Sequence, residues 1–444
     1  MLHVIAARME EPSARGLAGA VGRAVGEGIL QPGARLPPIR TVATELGLSP
    51  TTVSVAWGML ARSGTIQTDG RRGTTIAIRH AGPARYRSAL PGVPLELDLS
   101  TGTPDPALLP DLTPALRRVE HTPGTSSYLD DPVLPALGKI LRDDWPFAAE
   151  SFAVVDGAMD ALQLATAALL HFGDRVAVEQ PCFPPLLDLL DSAGVVAVPV
   201  GLDDDGPLPA ELADAVSAGV RAVFLQPRAQ NPTGASLTAE RVARLAGVLR
   251  DSDAIVVEDD SAGAVAATPV LSLGELLPDR TVHIRSYSKS HGPDLRLAAI
   301  GGPAELVDTL VDRRFLGQGW TSRLLQSVLV DLLTHRPSVR AVEAARRTYA
   351  NRRTRIVDEL ARAGVTVRGK DGLNIWLPVN DEPAALLRLA ASGIGVTAGR
   401  PFWVRPDAGV GHLRVTVGLV TAEHERVAAE LAAAALTGPR SAPR

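Results

Sequence analysis

The stretch 285-RSYSKSHGPDLRL-297 holds Lys289, one of three lysines among the chain's 45 basic residues. A desolvated lysine is a nucleophilic amine that can condense with an aldehyde, which a guanidinium at protein pH effectively cannot do. Ser286 and Ser288 flank it with hydroxyls, and Arg296 offers a rigid fork for a phosphate. Four signals precede it in the chain. Gly157-Ala158-Met159 sits where a strand turns into a helix, a place where backbone N–H groups hold phosphate. In 181-PCFP-184, Phe183 could stack on a planar ligand or be an ordinary core aromatic. In 231-NPTG-234, Asn231 could offer an amide to a ligand oxygen or simply shape a turn. Asp259, in 257-VEDDS-261, could pair with a protonated ring nitrogen or cap a helix. Singly, each has a plain structural reading. The order of phosphate turn, aromatic, amide, carboxylate, amine and guanidinium makes a surface lysine an improbable one.

Such a set works only if something places it. From about residue 151, β-rich and helical segments alternate. Strands are expected at Phe152–Val155, Val176–Glu179, Val195–Val200, Ala222–Gln226, Ile255–Glu258, Val282–Arg285 and Leu297–Ile300, with Ala/Leu-rich helices between them. That pattern predicts an α/β domain, a mainly parallel sheet flanked by helices. In such sheets ligands bind beyond the C-terminal strand ends, where the residues above fall.

The first eighty residues form a different unit. Leu17, Val21, Ala24, Val25 and Ile29 have helical spacing, stopped by Pro32-Gly33. A second helix fits Ile39 to Leu46, ended by Gly47, and Ser49 reads as the N-cap of a third from about Pro50 to Arg62. Two alternating segments, Thr65–Thr68 and Thr74–Ile78, flank the turn 69-DGRRG-73. Three helices and a two-stranded wing predict a winged helix-turn-helix. Its third helix would enter the major groove of double-stranded operator DNA with Ser49, Thr51 and Thr52 nearest the bases, while Arg40, Arg71 and Arg72 meet phosphates or the minor groove. A protein-interaction module with solvated arginines is the plainer alternative. Residues 79–97, with three prolines and two glycines, read as a linker, giving domains at 1–78 and 98–444 with a smaller subdomain at about 340–440.

Composition agrees with two jobs. The net charge of −4 divides into nine arginines against five acids in residues 1–80, or +4, and 36 basic against 44 acidic residues in the rest, or −8. A basic module on an acidic body suits a polyanionic partner. No apolar run reaches the length of a membrane span, and the N-terminus lacks a signal-peptide pattern. Cys182 is the only cysteine, which excludes an intrachain disulfide and a cysteine metal cluster. A cytoplasmic location and no metal are expected.

The words match families. 33-GARLPPIRTVATELGLSPTTVSVAWGMLARSGTIQTDGRRGTTI-76 resembles the DNA-binding domain of GntR-type bacterial regulators, with Arg40, Ser49, Thr52, Val53 and Gly73 on the pattern and Pro50 where Arg is usual. Residues 98–435 resemble the fold-type I aminotransferases, which bind pyridoxal 5′-phosphate (PLP). That resemblance implies a Schiff base between Lys289 and PLP, with Asp259 on the pyridine nitrogen, Asn231 on the phenolic oxygen and Phe183 stacked on the ring. It also implies phosphate contacts from Ala158, Met159, Ser286 and Arg296 and from Tyr128 of a partner subunit, places Gly157, Ser261 and Ser288 at the cofactor, and puts a substrate or effector carboxylate on Arg414. The two halves together resemble the MocR family of bacterial regulators. This implies a homodimeric transcription factor that senses an amine, an amino acid or PLP itself, with one chain's DNA-binding domain packed near the other's PLP domain. Ser261 replaces a tyrosine that helps bind the phenolic oxygen, Val133 and Gly138 replace a Gly and an Arg, and Asn374 replaces a common His. The alternatives are a working aminotransferase with an accessory DNA-binding domain, and a regulator that has lost the cofactor.

Overall fold

The computed structural model describes residues 1–9, 11–26, 29–31, 33–62, 65–69, 73–76, 85, 95–119, 127, 130–405 and 411–438. Its N-terminal unit has helices α1 (Leu2–Ala6), α2 (Ala14–Gly26), α3 (Ile39–Leu46) and α4 (Pro50–Arg62), then strands β1 (Ile66–Asp69) and β2 (Gly73–Ile76). Leu17, Val21 and Ala24 line one face of α2 and are buried against Val42, Val53, Trp57, Leu60 and Ile66. Ile29, expected on that face, lies past the helix end and is 45% exposed. The short α1, which no sequence period predicts, adds Ile5 to this core. Gly47 closes α3 in the left-handed region at φ +66°, a conformation that costs glycine nothing. The Ser49 hydroxyl caps α4 by accepting from the Thr52 N–H at 3.0 Å. β1 and β2 pair antiparallel, and the Leu36 and Ile76 N–H groups tie the chain before α3 to this wing.

The remaining strands are β3 (Leu97–Asp98), β4 (Ser151–Val155), β5 (Arg175–Gln180), β6 (Val196–Asp203), β7 (Gly206–Pro207), β8 (Ala222–Leu225), β9 (Ile255–Asp260), β10 (Thr281–Ser286), β11 (Ala298–Gly302), β12 (Ile375–Pro378), β13 (Ile394–Gly395), β14 (Thr397–Ala398) and β15 (His412–Val415). Eight form one sheet in the order β4-β11-β10-β9-β8-β5-β6-β7. Strands β10, β9, β8, β5 and β6 run parallel, and β11 is antiparallel to both of its neighbours. All seven strands expected from sequence are present, with ends moved by no more than three residues. Val and Ile side chains of these strands pack under helix Ala158–Leu169 in one core, and under Ala239–Leu249 on the other face in a second.

The long helix Arg336–Arg362 leads into a smaller α/β subdomain, where β12, β15 and β14 pack against helices Glu382–Ala391 and His424–Ala435. β3 pairs in parallel with β13, so the chain touches this subdomain before it builds the large sheet. Phe172, in the turn before β5, packs against the winged-helix core of the same chain. No helix among the described residues is long and apolar enough to cross a membrane.

Candidate functional site

Strand register brings the chemistry to one edge. Leu225 lies opposite Glu258, and Ile284 opposite Asp259, so Gln226, Asp259 and Ser286 follow one another across three neighbouring strand ends. Val155 and Ser286 both pair with Ala298. The turn after β4, the turn after β10 and Arg296 before β11 therefore lie at the same end of the sheet.

At that end Gly157 caps helix Ala158–Leu169 with φ +95°. A Cβ on Gly157 would sit 3.3 Å from Arg296 Nη2, so glycine keeps the space between turn and guanidinium open. The first-turn N–H groups of Ala158 and Met159 have no helical acceptor and carry the positive end of the helix dipole. Arg296 is exposed, held in the left-handed region at φ +50°, and donates to the Asp156 carbonyl at 3.1 Å. Ser286 is buried and its hydroxyl accepts from the Ser288 N–H at 3.3 Å. Phe183, the residue before helix Pro184–Ser192, lines a small pocket with Glu179, Gln226 and Asp259.

Asp259 is 4% exposed, and its two carboxylate oxygens differ. Oδ2 accepts from Gln226 Nε2 at 2.7 Å, while Oδ1 is buried with no hydrogen-bond donor among the described residues. Burial pushes the carboxyl up to about 6, opposed by the Gln226 hydrogen bond and the Lys289 charge. Solvent still reaches part of Lys289, yet burial of the amine dominates and holds it below its ordinary value; Asp259 opposes this and Arg414 adds to it. A lysine depressed in this way is a better nucleophile at neutral pH. Arg414, 2% exposed, donates to Thr397 Oγ1 at 2.9 Å and to the Ser100 carbonyl, with its guanidinium 5.5 Å from the Phe402 ring centre.

Asn231 is buried, and its side-chain carbonyl accepts from Asn374 Nδ2 at 3.5 Å. Ser261 Oγ accepts from Gln226 Nε2 at 3.1 Å, so this small side chain joins the Asp259 network from the place where a tyrosine was expected. Val133 is buried beside Gly138 in a separate cluster with helix Pro135–Asp143. Tyr128 lies outside the described residues, as do Arg71 and Arg72 of the wing turn.

Sequence reasoning missed four residues here. Glu179, at the end of β5, is buried, accepts from the Gln226 N–H and Gln230 Nε2, both at 3.1 Å, and is pushed by burial up to about 8. Gln226 stands between Glu179 and Asp259. Arg228 grips buried Asp260 through two bonds of 2.9 and 2.8 Å. Burial pushes Asp260 up, but the Arg228 guanidinium outweighs it and holds the carboxyl below its usual range. The surplus of polar side chains in 226-QPRAQ-230 was the available signal.

In the winged helix, Arg40, Ser49 and Thr51 are exposed and Thr52 half-buried, with Ser49 and Thr52 hydroxyls 2.8 Å apart. Arg35, which sequence reasoning passed over, bridges to Thr75 of β2 with its guanidinium beside Gly73.

A winged helix joined to a fold-type I PLP-enzyme body is the class that this fold and site define. The family described as aminotransferase class I and II matches residues 96–431, and that of bacterial regulatory proteins, gntR family, matches residues 14–76. The vitamin B6 salvage pathway transcriptional repressor PtsJ of Salmonella typhimurium is 38% identical over 86% of this chain and 89% of its own. The pyridoxine biosynthesis transcriptional regulator PdxR of Corynebacterium glutamicum is 29% identical over 86% and 87%. In fold, the crystal structure of the α-aminoadipate aminotransferase LysN of Thermus thermophilus superposes with a TM-score of 0.69 at 22% identity, covering 80% of this chain and 95% of that one. The chain belongs to the aminotransferase class I and II family and, with its GntR-type winged helix, is a regulator of the MocR type.

The cofactor this family implies is PLP, and the residues present fit it. A protonated ring nitrogen needs a dry anionic acceptor, which the unpartnered Asp259 Oδ1 offers. A phosphate needs N–H donors and a guanidinium around a cradle, which Gly157, Ala158, Met159 and Arg296 provide.

Proposed function

We propose that this protein is a PLP-binding transcriptional regulator whose aminotransferase-like domain holds PLP through Lys289 and changes the winged helix's grip on operator DNA. The observation that carries the reading is the conjunction in one chain of a winged helix whose α4 exposes Ser49 and Thr51 at its N-terminal end and a dry carboxylate, Asp259 Oδ1, beside a depressed lysine. Both relatives named above are described as regulators of vitamin B6 pathways, which favours PLP itself as the sensed molecule, with an amine or amino acid as the wider class.

Once bound, PLP supplies an aldehyde to the amine and an electron-withdrawing ring to whatever joins it. The rest is the protein's work. Burial disfavours the charge on Lys289 and so raises the share of its amine that is neutral and nucleophilic. Asp259 fixes a proton at the ring-nitrogen end through Oδ1, and Asn231 and Ser261 serve the phenolic-oxygen end. Gly157, Ala158, Met159, Ser286, Ser288 and Arg296 anchor the phosphate, with Tyr128 of a second copy completing it in a homodimer. Arg414 takes an effector carboxylate as a two-point contact.

A path from site to DNA-binding domain supports the sensor reading. Phe183 begins helix Pro184–Ser192, whose Asp188 and Asp191 hold the linker residue Arg85, with Asp191 at 2.5 Å from its guanidinium. A ligand that changes Phe183's position changes this hold. DNA affinity then shifts by as much as the ligand prefers one arrangement over the other. Retention of Arg414 supports a second reading, residual transamination, with the winged helix as an accessory. Borohydride reduction of the PLP-loaded protein followed by peptide mass mapping tests the binding claim: the adduct maps to Lys289 and is lost in Lys289→Ala. A wild-type protein that cannot be loaded with PLP overturns it. Turnover of an amino acid with a keto acid at ordinary enzyme rates moves the main function to transamination.

A further inference from the structure

Between the two ends of the cofactor site stands a side chain with every hydrogen-bonding group committed. Gln226 follows β8, between the ends of β5 and β9. Its Nε2 donates to Asp259 Oδ2 at 2.7 Å and to Ser261 Oγ at 3.1 Å. Its Oε1 accepts from the Asn231 N–H at 2.6 Å. Its own N–H donates to Glu179 Oε1 at 3.1 Å, and Glu179 is anchored on its other oxygen by Gln230, which also donates to the Pro181 carbonyl at 2.9 Å. All of these groups except Ser261 are buried to within 8% of full occlusion. Asn231 is thus fixed at its backbone by Gln226 and at its side-chain carbonyl by Asn374, leaving Nδ2 without an acceptor among the described residues.

We propose that Gln226 is a positioning residue that sets the proton balance of the bound cofactor, by linking the carboxylate at its ring nitrogen to the amide at its phenolic oxygen. The proposal rests on the reading above that Asp259 and Asn231 face those two ends. The physics is specific. The Nε2 hydrogen bond stabilises the ionised form of a carboxylate that burial would otherwise protonate, and so keeps Asp259 able to hold a proton on the ring nitrogen. A neutral donor is required. A guanidinium or ammonium there would satisfy the carboxylate's charge and remove its pull on the ring proton. Because the same side chain accepts from Asn231, a shift at one end of the ring is felt at the other. Asp259 has no second side-chain donor among the described residues, and Glu179, buried against the Gln226 backbone, supplies none to it.

The test uses the full-length protein loaded with PLP, comparing wild type, Gln226→Leu and Gln226→Glu. Gln226→Leu removes donor and acceptor. Gln226→Glu keeps shape and the acceptor for the Asn231 N–H but cannot give Asp259 a neutral N–H. The readouts are PLP dissociation constant and the pH at which the cofactor's long-wavelength visible band converts to its shorter-wavelength form. With Asp259 less able to stay ionised, the ring nitrogen loses its proton and its electron-withdrawing effect on Lys289, so this transition moves upward by about one pH unit in Gln226→Leu. Gln226→Glu also departs from the wild-type titration, and both variants bind PLP about tenfold or more weakly. A role in folding alone lowers thermal stability and leaves the titration of the bound fraction in place. Wild-type titration and affinity in both variants overturn the proposal. If Gln226→Leu does not fold, Gln226→Met, which keeps the length of the side chain but has no donor for Asp259, decides it by the same readouts. Failure of wild type to load PLP at Lys289 is a separate result, and it overturns the functional reading beneath.

Discussion

Two buried carboxyls, Glu179 and Asp259, on strand ends either side of β8, hold protons to higher pH than carboxyls in water, and this has a measurable sign. Burial pushes Glu179 from 4.5 up to about 8. Between those values the folded chain binds a proton that the unfolded chain releases, so this group's contribution to stability is complete below about pH 4.5 and is lost as pH rises towards 8. Glu179→Gln removes that proton uptake and keeps the shape. Its unfolding free energy in the cofactor-free protein should depend less on pH between 5 and 8, by about 1.4 kcal/mol per pH unit at most, and parallel curves for the two proteins would refute the assignment. Lys289 permits a complementary test. Lys289→Arg keeps a cation and most of the bulk but removes the amine, so the reducible adduct disappears and PLP retention falls about a hundredfold. Retention at the wild-type level would show that the phosphate cradle alone holds the cofactor.

At the scale of elements, the strand ends depend on ties that can be cut one at a time. Arg228 and Asp260 are a buried bidentate pair joining the turn after β8 to the end of β9. Arg228→Ala leaves a carboxylate at 0% exposure with its counterion gone, which costs about 3 to 5 kcal/mol and lowers the denaturation midpoint accordingly. In the winged helix, Ser49→Ala removes the cap of α4 and costs about 1 kcal/mol in unfolding of that unit. Arg40→Ala leaves the fold intact, weakens DNA binding across sequences, and reduces the slope of log affinity against log salt by about one. These elements were legible in the sequence because their signals are local. Hydrophobic period, the Gly47 stop and the Ser49 cap placed α2 to α4, and strand-then-polar switches placed Asp259 and Lys289 at strand ends. Gln226 and Glu179 were not legible. Their role exists only through the parallel register of β5, β8 and β9, which brings together residues 47 and 33 positions apart in sequence. Ile29 misled because the helical period runs on in sequence past Gly26, where the helix itself stops.

At the scale of the molecule, the winged helix meets its own chain at Phe172 and Gly173, where Met59 Cε would lie 3.0 Å from a Cβ on that glycine. The helix that starts at Phe183 ends near this contact and holds Arg85 on the way. Both ends of the proposed signal are therefore joined by one short rigid element, and Arg85→Ala should leave PLP binding unchanged while shrinking its effect on DNA binding. The most direct test of the whole account measures the affinity of the full-length protein for the DNA flanking its coding region, with and without PLP, in wild type and Lys289→Ala. The account predicts a change of at least about fivefold on adding PLP to wild type and none in the variant. Equal affinity with and without PLP in wild type, or the same change in Lys289→Ala, would contradict it.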